Sequence, residues 1–314
     1  MEKTIHLMMM ANKKKISALK KNYLKFLKKQ EVAGEPFYDK EGQLKNFYIP
    51  ICDHIFKKFK KSPKNNIIGL SGAQGSGKST IAQIIKLVLK FRHNLHVICF
   101  SIDDYYKTLK ERKKMAYRVN KLFLTRGVPG THDIKMLLND LKKLKSLKFK
   151  KMKIPKFDKS IDDRLPKNKW SIIKKKPDVI IFEGWCIGAR HEKKSTLKNS
   201  INKLEKNEDG DMVWRNTVNS ELKNNYSRLF KKINFLVYLK IPSFKYVIKW
   251  RSLQERKLKR NTKGKKIMNH NQILRFIMFY ERLTKNMIKV ITEKANILIS
   301  LDPKHRLKRL RIKS

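Results

Sequence analysis

Acidic side chains are scarce in this chain of 314 residues: 26 Asp and Glu stand against 77 Lys and Arg, a formal net charge of +51. Such a surface attracts polyanions non-specifically, including RNA, DNA and anionic lipid. A nucleic-acid partner would explain the charge, and so would AT-rich coding, which favours Lys together with Asn and Ile. The basic residues spread from Lys13 to Lys313 without the interleaved aromatic residues of an RNA-binding motif. This distribution favours coding bias.

Cysteine is also rare, and long apolar runs are missing. Cys52, Cys99 and Cys186 are odd in number and widely spaced, which argues against a disulfide framework or a cysteine zinc site. No apolar run reaches the ~18 residues that a membrane-spanning helix needs, and MEKTIHLMMMANKKK is not followed by a signal-peptide core or cleavage site. We therefore expect a cytoplasmic protein with no membrane association and no specific protein partner.

Apolar strand patterns alternate with helical patterns in the part of the chain that follows residue 62. The β-rich runs are NIIGLS, LHVICFS, DVIIFEG, INFLVYLKI and ANILISLD. Helical periodicity lies between or after them, near residues 134–147, 217–230, 244–257 and 272–292. Strands that are apolar on both faces and separated by helices predict an α/β fold: a doubly wound, mainly parallel sheet of about five strands with helices on both faces.

The domain organisation is predicted to be one α/β domain with flanking segments. Residues 1–62 form a Lys-rich helical N-terminal extension, in which Ile16, Leu19, Tyr23, Phe26 and Leu27 recur at helical spacing. We expect this apolar face to pack against the body. Residues 63–303 form the α/β domain, and residues 304–314 form a basic C-terminal tail.

The stretch GAQGSGKS, which begins at Gly72, matches the pattern G-x-x-x-x-G-K-[ST] without a mismatch. A strand pattern precedes it and an amphipathic helix follows, so backbone N–H groups and the helix N-terminus can converge on phosphate oxygens. Lys78 is predicted to reach the β- and γ-phosphates of ATP, and the Ser79 hydroxyl to bind Mg²⁺. The expected nucleotide-binding residues are Gly72, Ala73, Gln74, Gly75, Ser76, Gly77, Lys78, Ser79 and Thr80.

Carboxylates follow or close two other strands of the predicted sheet. In open α/β sheets, ligands bind at the carboxyl ends of the strands, and Asp103 stands there in FSIDDYYKT. It is predicted to accept the proton of an attacking hydroxyl or to orient hydrated Mg²⁺, whereas Asp104 is interpreted as a helix cap. Glu183 closes VIIFEGW and resembles the acidic Walker B position, which helps to hold the metal. Alternatively, Glu183 is an incidental acid that happens to lie at the end of a strand.

Further motifs indicate which family of proteins the sequence resembles. TRGVPGTHD, PKFDKSIDDR, FEGWCIGAR, WRSLQE and FYERLT occur in this order after the phosphate loop and SIDDYY. Together they resemble the D-glycerate 3-kinase family and its bacterial kinase-like relatives, which are similar to the phosphoribulokinase, uridine kinase and pantothenate kinase group of P-loop NTPase folds. The resemblance runs from about Ile67 to Asp302. The Lys-rich extension and the basic tail lie outside it.

The resemblance implies ATP-dependent phosphorylation of a small hydroxy acid, D-glycerate to 3-phosphoglycerate, and a helical lid at about residues 251–270. A carboxylate substrate needs a fixed cation, and Arg offers a planar two-pronged match. Alternatively, Arg126 and Arg164 only pair with nearby acids, and His132 only caps a helix. Other acceptors (a nucleoside, pantothenate, another sugar acid) and an ATP-dependent RNA-associated protein stay open. The expected substrate-binding residues are Tyr106, Arg126, His132, Asp133, Asp158, Arg164 and Arg251.

Overall fold

The computed structural model describes residues 2–31, 36–64, 66–261 and 268–313. In these ranges no helix combines the length and apolarity needed to cross a bilayer. The α-helices are α1 (Glu2–Gln30), α2 (Lys40–Gln43), α3 (Ile49–Lys61), α4 (Lys78–His93), α5 (Leu109–Arg118), α6 (Ile134–Lys145), α7 (Lys194–Leu197), α8 (Lys203–Glu208), α9 (Val213–Glu221), α10 (Ser227–Phe230), α11 (Lys245–Asn261) and α12 (His270–Lys294).

The strands form one central sheet and two small two-stranded antiparallel sheets in the described part of the chain. The central sheet has six strands in the order β10-β9-β8-β1-β7-β2, and only the β9–β10 pair is antiparallel. The strands are β1 (Ile67–Gly72), β2 (Val97–Ser101), β3 (Met152–Ile154), β4 (Phe157–Asp158), β5 (Asp163–Arg164), β6 (Ser171–Ile173), β7 (Val179–Gly184), β8 (Phe235–Lys240), β9 (Ile297–Leu301) and β10 (Leu307–Ile312).

The side chains of the central strands alternate between two hydrophobic cores, one on each face of the sheet. In β7, Ile181 belongs to the core that includes α4, whereas Ile180 and Phe182 belong to the core that includes α6. All residues of β1 and β7 are buried. Successive residues of a strand point to opposite faces, so a strand covered on both faces must be apolar throughout. This confirms the predicted doubly wound, mainly parallel architecture.

The N-terminal helix shares a core with the α/β domain. Leu19, Tyr23 and Leu27 are at most 2% exposed and pack in the same core as the buried face of α4. The Tyr23 hydroxyl donates a hydrogen bond to the backbone carbonyl of Lys40 at 2.9 Å. Ile16, on the predicted apolar face, is 43% exposed. The helix therefore supplies one wall of the core rather than a loosely attached extension.

Leu27→Ala is expected to lower the free energy of unfolding by about 2–5 kcal/mol, because it leaves a cavity in a core that relaxes only partly. Lys25→Ala on the exposed side of α1 is the matched control, and we expect a change within about 0.5 kcal/mol. Urea unfolding of both variants measures the difference. Equal stability of Leu27→Ala and Lys25→Ala would show that α1 does not contribute to the core.

The C-terminal segment corrects two predictions. The sheet has six strands rather than about five, because residues expected to form a basic tail form the edge strand β10. Its pattern, LKRLRI, buries only Leu307 fully, so it lacks the apolar run by which the other strands were recognised. The Gln43 side chain holds this strand through both backbone groups of Leu307, at 3.1 and 2.8 Å.

Candidate active site

The phosphate loop joins β1 to α4 and has the conformation that its glycines predict. Gly75 and Gly77 have φ angles of +76° and +80°, in the left-handed region that side chains disfavour. A Cβ on Gly75 would also lie 2.7 Å from Cβ of Trp250. The Gln74 amide and the Ser76 hydroxyl are buried and have no hydrogen-bond partner in the described structure. Of these two side chains, Gln74 lines the cleft, so its amide is the one that a ligand bound there could reach.

Lys78 begins α4, and its ammonium group folds back over the loop. Its Nζ donates to the backbone carbonyl of Ala73 at 2.9 Å. Burial lowers the pKa of Lys78, while the charges of Glu183 and Asp103 act in the opposite direction. The cation is thus held near carboxylates, but its hydrogen bond is to a neutral carbonyl. An anion entering the loop would give this ammonium group a stronger partner.

The predicted acids meet at the carboxyl edge of the sheet. Glu183 is paired in register with Ser101 at the end of β2 and lies one strand away from the phosphate loop. Its carboxylate accepts a hydrogen bond from the Ser79 hydroxyl at 2.8 Å. Burial raises the pKa of Glu183, and the Lys78 ammonium opposes this effect. Two hard oxygen donors, one of them a buried acid, thus stand side by side.

One cleft of about 430 Å³ contains both halves of the predicted site. Lys78 and Asp103 line the same cleft, so a bound phosphate chain and an acceptor can meet between them. The predicted residues on its wall are Gln74, Gly75, Gly77, Lys78, Ser79, Thr80, Asp103, Tyr106, Arg126, Glu183 and Arg251. Gly72, Ala73 and Ser76 lie in the loop but not on the cleft wall.

Asp103 is held as a carboxylate by two partners. Its Oδ1 accepts from the Tyr106 hydroxyl at 2.9 Å, and its Oδ2 accepts from Lys159 Nζ at 2.7 Å. Burial acts to raise the pKa of Asp103, but the Lys159 ammonium and the Tyr106 hydroxyl outweigh it and hold the pKa well below its usual range. The neighbouring Asp104 instead accepts from the backbone N–H of Ser101, at 3.4 Å. This contact supports its interpretation as a cap.

Two predicted acceptor residues stand behind the cleft wall rather than on it. His132 is 2% exposed, stacks on the Tyr106 ring at 4.5 Å and is hydrogen-bonded to the Tyr226 hydroxyl at 2.5 Å. Burial lowers the pKa of His132 to about 3, so the ring is neutral at neutral pH. Asp133 caps α6 by accepting from the backbone N–H of Met136. Neither side chain lines the cleft, so contact of either one with the acceptor stays a prediction. It is Asp133, not His132, that caps the helix.

The hairpin formed by β4 and β5 carries two more predicted residues, and neither lines the cleft. Arg164 donates to the backbone carbonyl of Tyr106 at 2.7 and 3.1 Å and lies 3.8 Å from Asp133. Asp158 accepts from the backbone and the hydroxyl of Ser160 at 2.8 and 2.6 Å. Both contacts shape the hairpin. Direct contact of either side chain with the acceptor stays a prediction.

Arg126 does line the cleft, but its guanidinium group is engaged by an acid. It forms an ion pair with Asp162 and lies over the Phe157 ring at 5.5 Å. Asp162 also binds Arg112, which is fully buried. Arg126 therefore pairs with a nearby acid, as the alternative interpretation of the sequence expected.

Arg251 lines the cleft from α11. It pairs with Glu255 one turn further along the helix and lies over the Phe276 ring at 5.2 Å. The predicted lid, about residues 251–270, includes residues 262–267, which lie outside the described residues. The lid function of this segment stays a prediction.

Several cleft residues were missed in the sequence. Lys156, Phe157 and Lys159 come from the loop and hairpin after β3, and Tyr280 from α12. The Tyr280 hydroxyl donates to the backbone carbonyl of Arg126 at 3.1 Å. The motif PKFDKSIDDR contained a usable signal, since two lysines flank the Phe–Asp pair. The position of Tyr280 depends on the packing of a distant helix.

Comparisons with known proteins agree with this architecture. The family model described as phosphoribulokinase / uridine kinase family matches residues 67–202. The "Uncharacterized kinase mug58" of Schizosaccharomyces pombe is 35% identical over 243 residues, which cover 73% of this chain and 85% of that protein. The chloroplastic D-glycerate 3-kinase of Arabidopsis thaliana is 26% identical over 76% of this chain, and the match spans about half (53%) of that relative.

A solved structure shows the same fold. The D-glycerate 3-kinase from Cryptococcus neoformans superposes with a TM-score of 0.70 at 22% identity, over 85% of this chain and 99% of that one. The phosphate loop, the strand-end acids and the shared cleft define a P-loop kinase. Within that class the chain belongs to the phosphoribulokinase/uridine kinase family.

Proposed function

We propose that this protein is an ATP- and Mg²⁺-dependent kinase that phosphorylates a hydroxyl group of a small hydroxy acid, with D-glycerate to 3-phosphoglycerate as the first candidate reaction. One observation carries the proposal: Lys78 and Asp103 line one cleft, with Glu183 also on its wall. A phosphate chain held at the loop can thus face a hydroxyl group held at Asp103. Phosphoryl transfer depends mainly on such positioning and on charge neutralisation.

Each residue of the candidate site has its own role in the proposed reaction. The loop amides and Lys78 hold the β- and γ-phosphates, and Asp103 accepts a hydrogen bond from the acceptor hydroxyl. The hydroxyl oxygen attacks the γ-phosphorus, the bond from that phosphorus to the β,γ-bridging oxygen breaks, and ADP leaves. The hydroxyl proton passes to the Asp103 carboxylate. The aromatic wall of Tyr106, Trp185 and Tyr280 limits access of water to the transferred group.

Ser79 and Glu183 are the residues that would hold Mg²⁺. In the described ranges no group of three or more His, Cys, Asp and Glu forms a complete metal site. Mg²⁺ nevertheless fits, because it is usually bound by one or two protein oxygens together with phosphate oxygens and water. When bound, the ion neutralises charge on the phosphates.

Glu183→Gln is expected to raise the Mg²⁺ concentration needed for half-maximal activity by about 10- to 100-fold. The amide keeps the shape and the hydrogen bond from Ser79 but removes the buried charge. Mg²⁺ titrations of the initial rate, at saturating ATP, measure the effect. An unchanged Mg²⁺ requirement would contradict the metal role of Glu183.

The choice of D-glycerate is supported by the name of the Arabidopsis thaliana relative and by the lysine and arginine side chains on the cleft wall. Its direct test is a coupled assay of ADP release with D-glycerate, pantothenate, uridine and pentose phosphates as acceptors. Product analysis by phosphorus NMR then locates the new phosphate ester. Rapid ADP release with uridine or pantothenate, and none with D-glycerate, would replace the proposed acceptor.

The charge of +51 supports non-specific polyanion binding beside the kinase reaction. We expect RNA affinity to fall steeply as salt is raised and to be independent of ATP. Tight, ATP-dependent RNA binding at physiological salt would instead favour an RNA-associated function. We place the reaction in a reducing cytoplasm, which is supported by the three free cysteines Cys52, Cys99 and Cys186.

A further inference from the structure

Two lysines form ion pairs with aspartates on the cleft wall. Lys159 Nζ lies 2.7 Å from Asp103 Oδ2, and Lys156 Nζ lies 3.4 Å from Asp104 Oδ1. Both lysines belong to the segment that leads into and through the β4–β5 hairpin, and both line the cleft. The Lys159 side chain is 62% exposed, so its ammonium group is accessible from the cleft while it neutralises Asp103.

The arginines that were expected to hold an acid group have other partners. Arg126 is paired with Asp162, and Arg251 is paired with Glu255. Arg164 donates to a backbone carbonyl and does not line the cleft. Of the remaining cations on the described cleft wall, Lys78 folds over the phosphate loop. On the part of the cleft wall that the structure describes, the two hairpin lysines are the cations that form ion pairs with Asp103 and Asp104.

The backbone that carries Lys159 is firmly anchored. Arg112 donates from NH2 to the Asp162 carbonyl at 2.5 Å, and the carboxylate of Asp163 accepts from the backbone N–H of Leu109 at 3.0 Å. On the near side of the turn, Ser160 is bonded to Asp158. The backbone of a lysine on such a turn stays in place, while its flexible side chain can reorient.

We infer that Lys159 is the specificity residue that recognises the acid group of the acceptor, and that the Asp103–Lys159 ion pair marks where the hydroxyl and acid groups of one small hydroxy acid bind. This inference rests on the proposed kinase function. The acceptor hydroxyl replaces Lys159 at Asp103, and the acid group of the same molecule becomes the new partner of the Lys159 ammonium. A neutral polyol or nucleoside satisfies Asp103 but leaves that ammonium without its counter-charge.

The test compares Lys159→Met with wild type, using D-glycerate and the matched neutral acceptor glycerol. We expect kcat/KM for D-glycerate to fall by about 10- to 100-fold. For glycerol kcat/KM should not fall, because in this variant no ammonium group competes for Asp103. KM for ATP should change little. Lys159→Arg should restore part of the loss. Lys153→Met is the control, because Lys153 is exposed on β3 and does not line the cleft. Equal losses with both acceptors would indicate a merely structural role and overturn the inference.

Calorimetric binding of D-glycerate separates this inference from the proposed function. If wild type releases no ADP with any acceptor, the kinase proposal fails. Binding of D-glycerate to wild type but not to Lys159→Met would still support the inference, and equal binding or no binding to either protein would overturn it. If wild type phosphorylates neutral acceptors but no hydroxy acid, the kinase proposal stands and the inference is overturned.

Discussion

Lys78→Ala is expected to lower kcat/KM by about 10³-fold while the protein stays folded. The ammonium group lies over the phosphate loop, where its only hydrogen bond that the structure records is to the Ala73 carbonyl. Its removal deletes the positive charge that we propose to face the γ-phosphate, where it would offset the negative charge that develops on the leaving oxygen. Steady-state kinetics measure the loss, and circular dichroism with thermal unfolding checks the fold.

Lys90→Ala is the matched control for this prediction, because Lys90 is exposed on the same helix α4. We expect near wild-type kinetics. A Lys78→Ala variant that is folded and as active as Lys90→Ala would refute the assignment of the phosphate loop as the site of transfer.

Asp103→Asn is expected to keep ATP binding and to lower kcat by about 10²- to 10⁴-fold. The amide is nearly isosteric, so the contact with Tyr106 can persist, but it cannot take the proton of the acceptor hydroxyl. It also loses the ion pair with Lys159. Single-turnover transfer from pre-bound ATP measures the chemical step, and fluorescence titration with a nucleotide analogue measures binding.

Asp104→Asn tests which of the two adjacent acids is essential. Asp104 accepts from the Ser101 backbone, and an asparagine oxygen can do the same. We expect at most about a 10-fold loss in this variant. If Asp104→Asn loses more transfer than Asp103→Asn, the roles of the two acids are reversed.

Half of the candidate site could be predicted from the sequence, because its residues lie in contiguous motifs. The phosphate loop is local: its glycines, Lys78 and Ser79 sit within eight residues whose conformation depends on one strand, one turn and one helix. Asp103 and Glu183 were identified because parallel strands present their carboxyl ends at one edge. Both acids line the cleft with Lys78. Their roles in the reaction remain proposals.

The part of the site that would bind the acceptor could not be predicted from the sequence in the same way. Residues distant in the chain determine which charged side chains face the cleft. Arg126 and Arg164 were chosen by residue type, but Asp162 and the Tyr106 carbonyl engage them. Lys159 belonged to a recognised motif, yet only the folded hairpin brings it to Asp103. Likewise, β10 was missed because an edge strand with one solvent-facing side does not need an apolar run.

The sequence by itself determined the class of fold and the phosphate-binding end of the cleft, since apolar periodicity and a glycine-rich loop act over short stretches of chain. The tertiary structure alone decided that β10 belongs to the central sheet and that a lysine rather than an arginine pairs with Asp103. The physical reason is that burial and ion pairing are set by neighbours in space. A charged side chain is available to a ligand only where the fold has not already supplied its counter-charge.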